Sequence, residues 1–117
     1  MNEMSEELKE YFPEDEVNRA EKLVKFFHGQ LLISDELSDT NAILLITYML
    51  SNKQKSPKVK SDDVKTLFIQ IGRDGEPFSK AIYELVKRAK KPFITKDEEG
   101  SLFLTFTGLS QIKELLK

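Results

Sequence analysis

Residues 42–50, Ala-Ile-Leu-Leu-Ile-Thr-Tyr-Met-Leu, offer water almost no polar side. Asp39 or Thr40 can cap a helix over residues 41–51, and its interior (Ala42, Ile43, Leu44, Leu45, Ile46, Met49, Leu50) is apolar nearly all round. Such a helix is stable at the centre of a domain, with other elements packed against every face. It is too short to cross a membrane. Its longest uninterrupted apolar run, Ala42 to Ile46, is five residues, against about 20 for a spanning helix. The rest of the chain must therefore supply amphipathic elements that turn their apolar stripes toward this centre.

Those elements follow directly. Residues 52–60 are polar, contain Pro57 and four lysines (Lys53, Lys55, Lys58, Lys60), and read as an exposed basic loop. Ser61 caps the next helix, with Asp62 and Asp63 at its positive end and Val64, Leu67, Phe68 and Ile71 on one face. Gly72 closes it. Arg73-Asp74-Gly75-Glu76 is a turn, and Pro77 suits the first position of a further helix. There Phe78, Ala81, Ile82, Leu85, Val86 and Ala89 share one stripe, and Lys80, Tyr83, Lys87, Lys90 and Lys91 lie opposite. Glu84 is the only acid of that helix, which Pro92 ends. Residues 93–95 read as a strand, 97–100 as a turn, and 101–106 as a second strand with Leu102, Leu104 and Phe106 turned inward. Thr107 caps a last helix whose apolar face is Leu109, Ile112, Leu115 and Leu116.

The first 38 residues are less regular. Ser5 caps a short helix running toward Tyr11, which Pro13 ends. Residues 14–27 place Val17, Ala20, Leu23, Val24 and Phe27 at helical spacing, and Gly29 is a natural stop. His28 then sits at a helix C-terminus or partly buried. Leu31-Leu32-Ile33 admits a strand, an extended segment or a helical turn.

Composition narrows the chemistry. The chain has 117 residues, enough for one domain, and no cysteine, which removes disulfides, thiolate nucleophiles and cysteine-zinc sites. With His28 its single histidine, no site built on two histidines exists within one chain. The N-terminus is acidic without an apolar stretch, so it does not read as a signal peptide, and a cytoplasmic setting with no membrane contact is expected. Glu6–Glu7 and Asp62–Asp63 are neighbours on helices and diverge, so helix-start charge explains them better than a cation site. No nucleophile elbow, phosphate loop or glycine-rich turn after a strand is present. Neither an enzyme nor a cofactor is expected.

The net charge of −2 hides a division. Residues 1–40 carry four basic and eleven acidic side chains, and residues 41–117 fourteen basic and nine acidic, a balance of −7 against +5. Two surfaces with different partners, or one surface shielding the other, fit that split.

Three helices followed by a two-stranded hairpin and a closing helix resemble the winged-helix family, a helix-turn-helix variant in which the hairpin is the wing. The segment from Phe78 to Ala89 resembles the family's recognition helix. Leu104-Thr105-Phe106-Thr107-Gly108, running on to Leu115-Leu116, resembles its passage from last strand into last helix. The resemblance covers about two thirds of the chain. It implies a mainly α fold with a small β-hairpin wing over residues 39–117, preceded by an acidic helical extension over residues 1–38.

The resemblance further implies a transcription regulator that sets the 78–91 helix in the major groove of duplex DNA. The matching positions are Ser79, Lys80, Tyr83, Glu84, Lys87, Lys90 and Lys91, with Lys58, Lys60, Lys53 and Lys55 adding phosphate contacts. One feature departs from DNA-binding members. The wing tip, Lys96-Asp97-Glu98-Glu99-Gly100, carries a net −2, which phosphate repels. That acidity supports an alternative, a winged-helix protein-interaction module that binds no DNA. The stripe Val17, Leu23, Val24, Phe27 is expected to serve a homodimer or another protein partner if it exceeds what one core can cover.

Overall fold

The helix placed at the centre by its composition is the longest among the described residues and packs against the three helices that follow it and two of the later strands. The computed structural model describes residues 3–87 and 91–117, and among them the chain is mainly helical with small antiparallel sheets. The central helix, here α3 (Asp39–Gln54), buries every residue from Ala42 to Met49. Within it the Thr47 hydroxyl donates to the Ile43 carbonyl at 2.7 Å, so its burial leaves no polar atom unpaired. Ser38, not Asp39 or Thr40, is the cap: its backbone is extended and its Oγ accepts from the Asn41 N–H at 3.2 Å. No helix among the described residues is long and apolar enough to cross a membrane.

The remaining elements of this half wrap α3 in the order β3 (Val59–Lys60), α4 (Ser61–Gln70), α5 (Glu76–Lys87), β4 (Ile94–Lys96), β5 (Ser101–Leu104), α6 (Phe106–Leu115). Residues 59–60, expected inside a loop, are a strand because Val59 is fully buried and pairs with Leu102. The three strands form one antiparallel sheet in the order β3-β5-β4, with Ile94 opposite Leu104. Ser61 is the first residue of α4, not its cap: Lys60 holds the cap position and no side chain caps the helix. Phe68 of α4 and Phe78 of α5 pack their rings 5.5 Å apart under α3, and Gly72 closes α4 at φ 93°. Glu76 rather than Pro77 opens α5.

The passage into α6 differs from the expected alternation. Strand β5 ends at Leu104, because Thr105 leaves it to cap α6: its Oγ1 accepts from the Gly108 N–H at 3.0 Å and donates to the Pro92 carbonyl at 2.6 Å. Thr107 is not the cap. Phe106, expected to point inward, is 85% exposed. Gly108 lies so close to the 92–94 backbone that an added Cβ would sit 2.1 Å from the Phe93 carbonyl oxygen.

The N-terminal region departs furthest from expectation. Ser5 lies within α1 (Glu3–Leu8) instead of capping it. Residues 14–27 are not one helix. A 3-10 turn (Glu14–Glu16) and the single turn α2 (Val17–Ala20) lead into β1 (Val24–Phe27), which pairs antiparallel with β2 (Gln30–Ile33). His28 and Gly29 are both left-handed, at φ 51° and 78°, which makes the two-residue turn whose twist suits a hairpin. His28 is thus an exposed turn residue, edge-on to Phe27 at 4.3 Å, and not a helix terminus. Residues 30–33 form a strand that pairs with β1 and not with β4–β5.

This region is part of the same core. Leu8, Phe12, Val17, Ala20, Val24, Leu31, Ile33 and Leu37 join one apolar cluster with the residues of α3–α6. Of the stripe expected to serve a homodimer, Val17 and Val24 are buried in that cluster, Leu23 is half-buried, and Phe27 alone stands 63% exposed. Polar contacts bolt the region down. Arg73 in the α4–α5 turn donates to Asp39 Oδ1 at 2.8 Å and to the carbonyls of Ser34 (3.1 Å) and Leu37 (2.8 Å). Asn52 donates to the Tyr11 carbonyl at 2.8 Å. Glu16, only 5% exposed, accepts from the Tyr48 hydroxyl at 2.6 Å and from Lys113, which also donates to Tyr48 at 3.1 Å.

Burial, with the bond to Glu16, raises the Tyr48 pKa above 10.0. For Lys113 burial acts to lower it, but the bonds to Glu16 and Tyr48 outweigh burial and raise it above 10.5. Both groups hold their protons more tightly folded than unfolded, so this stabilisation is complete below pH 10 and is lost as pH climbs through the raised values. Stability measured by denaturant titration should fall above pH 10. Glu16→Gln should cost about 1–2 kcal/mol at neutral pH, since it removes a bond to a charged group, and should make the alkaline fall shallower.

Candidate nucleic-acid interface

At about 100° per residue, Ser79, Lys80, Tyr83, Glu84 and Lys87 fall within an arc of roughly 140° on α5. All five are exposed, with Tyr83 at 64%. Phe78, Ala81, Ile82 and Leu85 occupy the opposite arc and are buried. The cationic face is therefore open, and the acidic extension does not lie across it. Lys91 is exposed just beyond the helix, and Lys90 falls outside the described residues. Lys80 and Glu84 also border a depression of about 300 Å³ shared with Ser38, Asp39 and Thr40 at the start of α3. Arg73 fixes the entry to α5, a role that its place in a turn did not disclose.

The lysines of residues 53–60 separate into two groups. Lys53 donates to the Tyr11 hydroxyl at 3.1 Å and lies 5.0 Å from that ring's centre, and the bond to Tyr11 raises its pKa. Lys55 is the left-handed residue that ends α3. These two face the extension, beside Lys9, Glu10, Phe12 and Pro13, and do not join the other two.

Lys58 and Lys60 instead reach a notch of about 350 Å³ between β3, the start of α4 and the β4–β5 turn. Ser61, Asp62, Lys96, Glu99, Gly100 and Ser101 complete its walls. Lys96 and Ser101 are the additions that sequence reasoning missed, because the pairing of β3 with β5 brings them there.

The acidic β4–β5 turn is partly spent on itself. Asp97 Oδ1 accepts from the N–H groups of Glu99 (3.0 Å) and Ser101 (2.8 Å), which shapes the turn with Gly100 at φ 84°. Glu99 faces Lys58 at 3.5 Å. Glu98 is exposed and has no ion pair among the described residues.

No family model, curated protein or solved structure matches this chain. Its surface offers an open cationic helix face and a separate lysine-lined notch.

Proposed function

We propose that the chain is a winged-helix protein that binds duplex DNA through α5, as a transcription regulator would. The observation that carries this reading is the open face of α5, where Lys80 and Lys87 flank Tyr83 with one acid, Glu84, among them. Lysines there neutralise phosphates, while Ser79 and Tyr83 hydroxyls can reach phosphates or base edges. Support comes also from the order α3-β3-α4-α5-β4-β5-α6 and the sheet order β3-β5-β4, which suit a wing beside a recognition helix. In this reading residues 1–38 are an accessory extension to the domain of residues 39–117.

Phosphate contacts dominate such binding, so affinity for random duplex should fall linearly with salt on logarithmic axes. A slope of about −3 to −4 corresponds to three or four neutralised phosphates. A salt-titrated gel shift measures it, and no shift at low salt would sink the proposal. The second reading, a protein-docking module, draws on Phe106 and Leu109, which stand 85% and 37% exposed at successive turns of one helix. It predicts no duplex binding at any salt and a Phe106→Ser variant that folds normally but loses a partner.

A further inference from the structure

We propose that the start of α6 is a self-association surface, on which Phe106 and Leu109 of one chain meet the same residues of a second copy about a two-fold axis. The large apolar side chains exposed among the described residues are Phe27, Ile69, Tyr83, Phe106 and Leu109, and only the last two share an element. Phe106 is the most exposed at 85%, and Leu109, three residues on along the same side of the helix, is 37% exposed. Their exposure is built in. Thr105 caps α6 and donates to the Pro92 carbonyl at 2.6 Å, while Gly108 rests on the backbone of Phe93. The first turn of the helix is thereby fixed to the sheet, and Phe106 is held outward.

Charge names the occupant. Residues 100–112 carry no charged side chain, in a chain whose charged fraction is 32%. The one other run as long, residues 40–52, belongs to the central helix that the core covers. Lys113, the first charge beyond residue 112, is taken up by Glu16 and Tyr48. A two-fold contact sets each side chain near the axis against its own copy, so a charge placed there faces like charge. A neutral patch escapes that repulsion. The −7 of residues 1–40 and the +5 of residues 41–117 would instead favour contacts between unlike surfaces. Self-association, expected through the 17–27 stripe that the core in fact covers, is thus assigned to α6. It stands apart from the duplex-binding reading.

Sedimentation velocity of the full chain over a concentration series tests this. The mass should rise from one chain toward two in the high-micromolar range, as a small contact implies, and added salt should not reverse it. Phe106→Glu and Phe106→Lys should each weaken association about tenfold or more, with thermal melts close to that of the wild type because the site is exposed. Leu109→Ser, away from the helix start, should weaken it as well. An equimolar mixture of the Phe106→Glu and Phe106→Lys chains should associate again, since glutamate then meets lysine across the axis. A wild type that stays monomeric throughout overturns the surface, and so does a dimer that these substitutions leave intact. Dissolution by salt would point to the −7 and +5 regions as the contact and overturn it too. A mixture that stays monomeric overturns the two-fold contact and leaves the two side chains to a foreign partner.

Discussion

Replacing Lys80 and Lys87 together by glutamate is expected to weaken binding to random duplex about a hundredfold or more at low salt and to flatten its salt dependence by roughly two units of slope. Both side chains are exposed on the same face of α5, and neither has an ion pair among the described residues. Each reversal removes one cation and adds one anion at the surface that a polyanion must approach, so the two losses compound. Folding should be indifferent. Exposed substitutions outside special features move stability by about 0.5 kcal/mol or less, and the apolar arc of α5 is untouched. Fluorescence anisotropy across a salt series, with a thermal melt of each variant, measures both halves. Retention of affinity within about threefold, in a folded protein, would remove α5 as the binding face.

Gly108→Ala is the opposite case, a change far from any charge with a large cost in stability. In an exposed helix the exchange gains about 1 kcal/mol from helix propensity. Here the new Cβ would lie 2.1 Å from the Phe93 carbonyl oxygen, and that atom is backbone, so no rotamer relieves it. The same carbonyl accepts the Thr105 N–H at 3.1 Å, and the Phe93 N–H donates to Leu85 at 3.1 Å. Moving it would disturb the start of α6 and the link from α5 to the sheet together. The strain should outweigh the propensity gain by about 3 kcal/mol or more, seen as a lower denaturant midpoint. This contact also gives a physical reason for the Leu-Thr-x-x-Gly pattern of residues 104–108. The threonine caps the helix, and the glycine three residues on lets the helix start rest on the backbone of residue 93.

Much of the fold was legible because each element from α3 to α6 combines a periodic stripe with punctuation. Gly72 and Pro77 bracket the turn between α4 and α5, and Asp97 with Gly100 marks the hairpin turn. Residues 14–27 misled because Val17, Ala20, Leu23, Val24 and Phe27 satisfy the helical period, while Val24 and Phe26 also satisfy the alternation of a strand. What decides between them is non-local: the 30–33 segment that pairs with β1, through a turn of two left-handed residues. Strand β3 is too short to show alternation, and Phe106 looked buried because nothing in its neighbours marks where β5 stops. The α5 face could be read from one helix. The notch could not, since residues 58–62, 96 and 99–101 meet only once the sheet is formed.

The bolts at Glu16, Asn52 and Arg73 have an electrical consequence. They hold the segment bearing most of the carboxylates in one attitude toward the lysine-bearing half, so the two cannot drift together and cancel. In the duplex-binding reading, a division of charge held fixed in this way would let a passing polyanion turn the molecule before the surfaces touch and shorten the orientational search that slows most encounters.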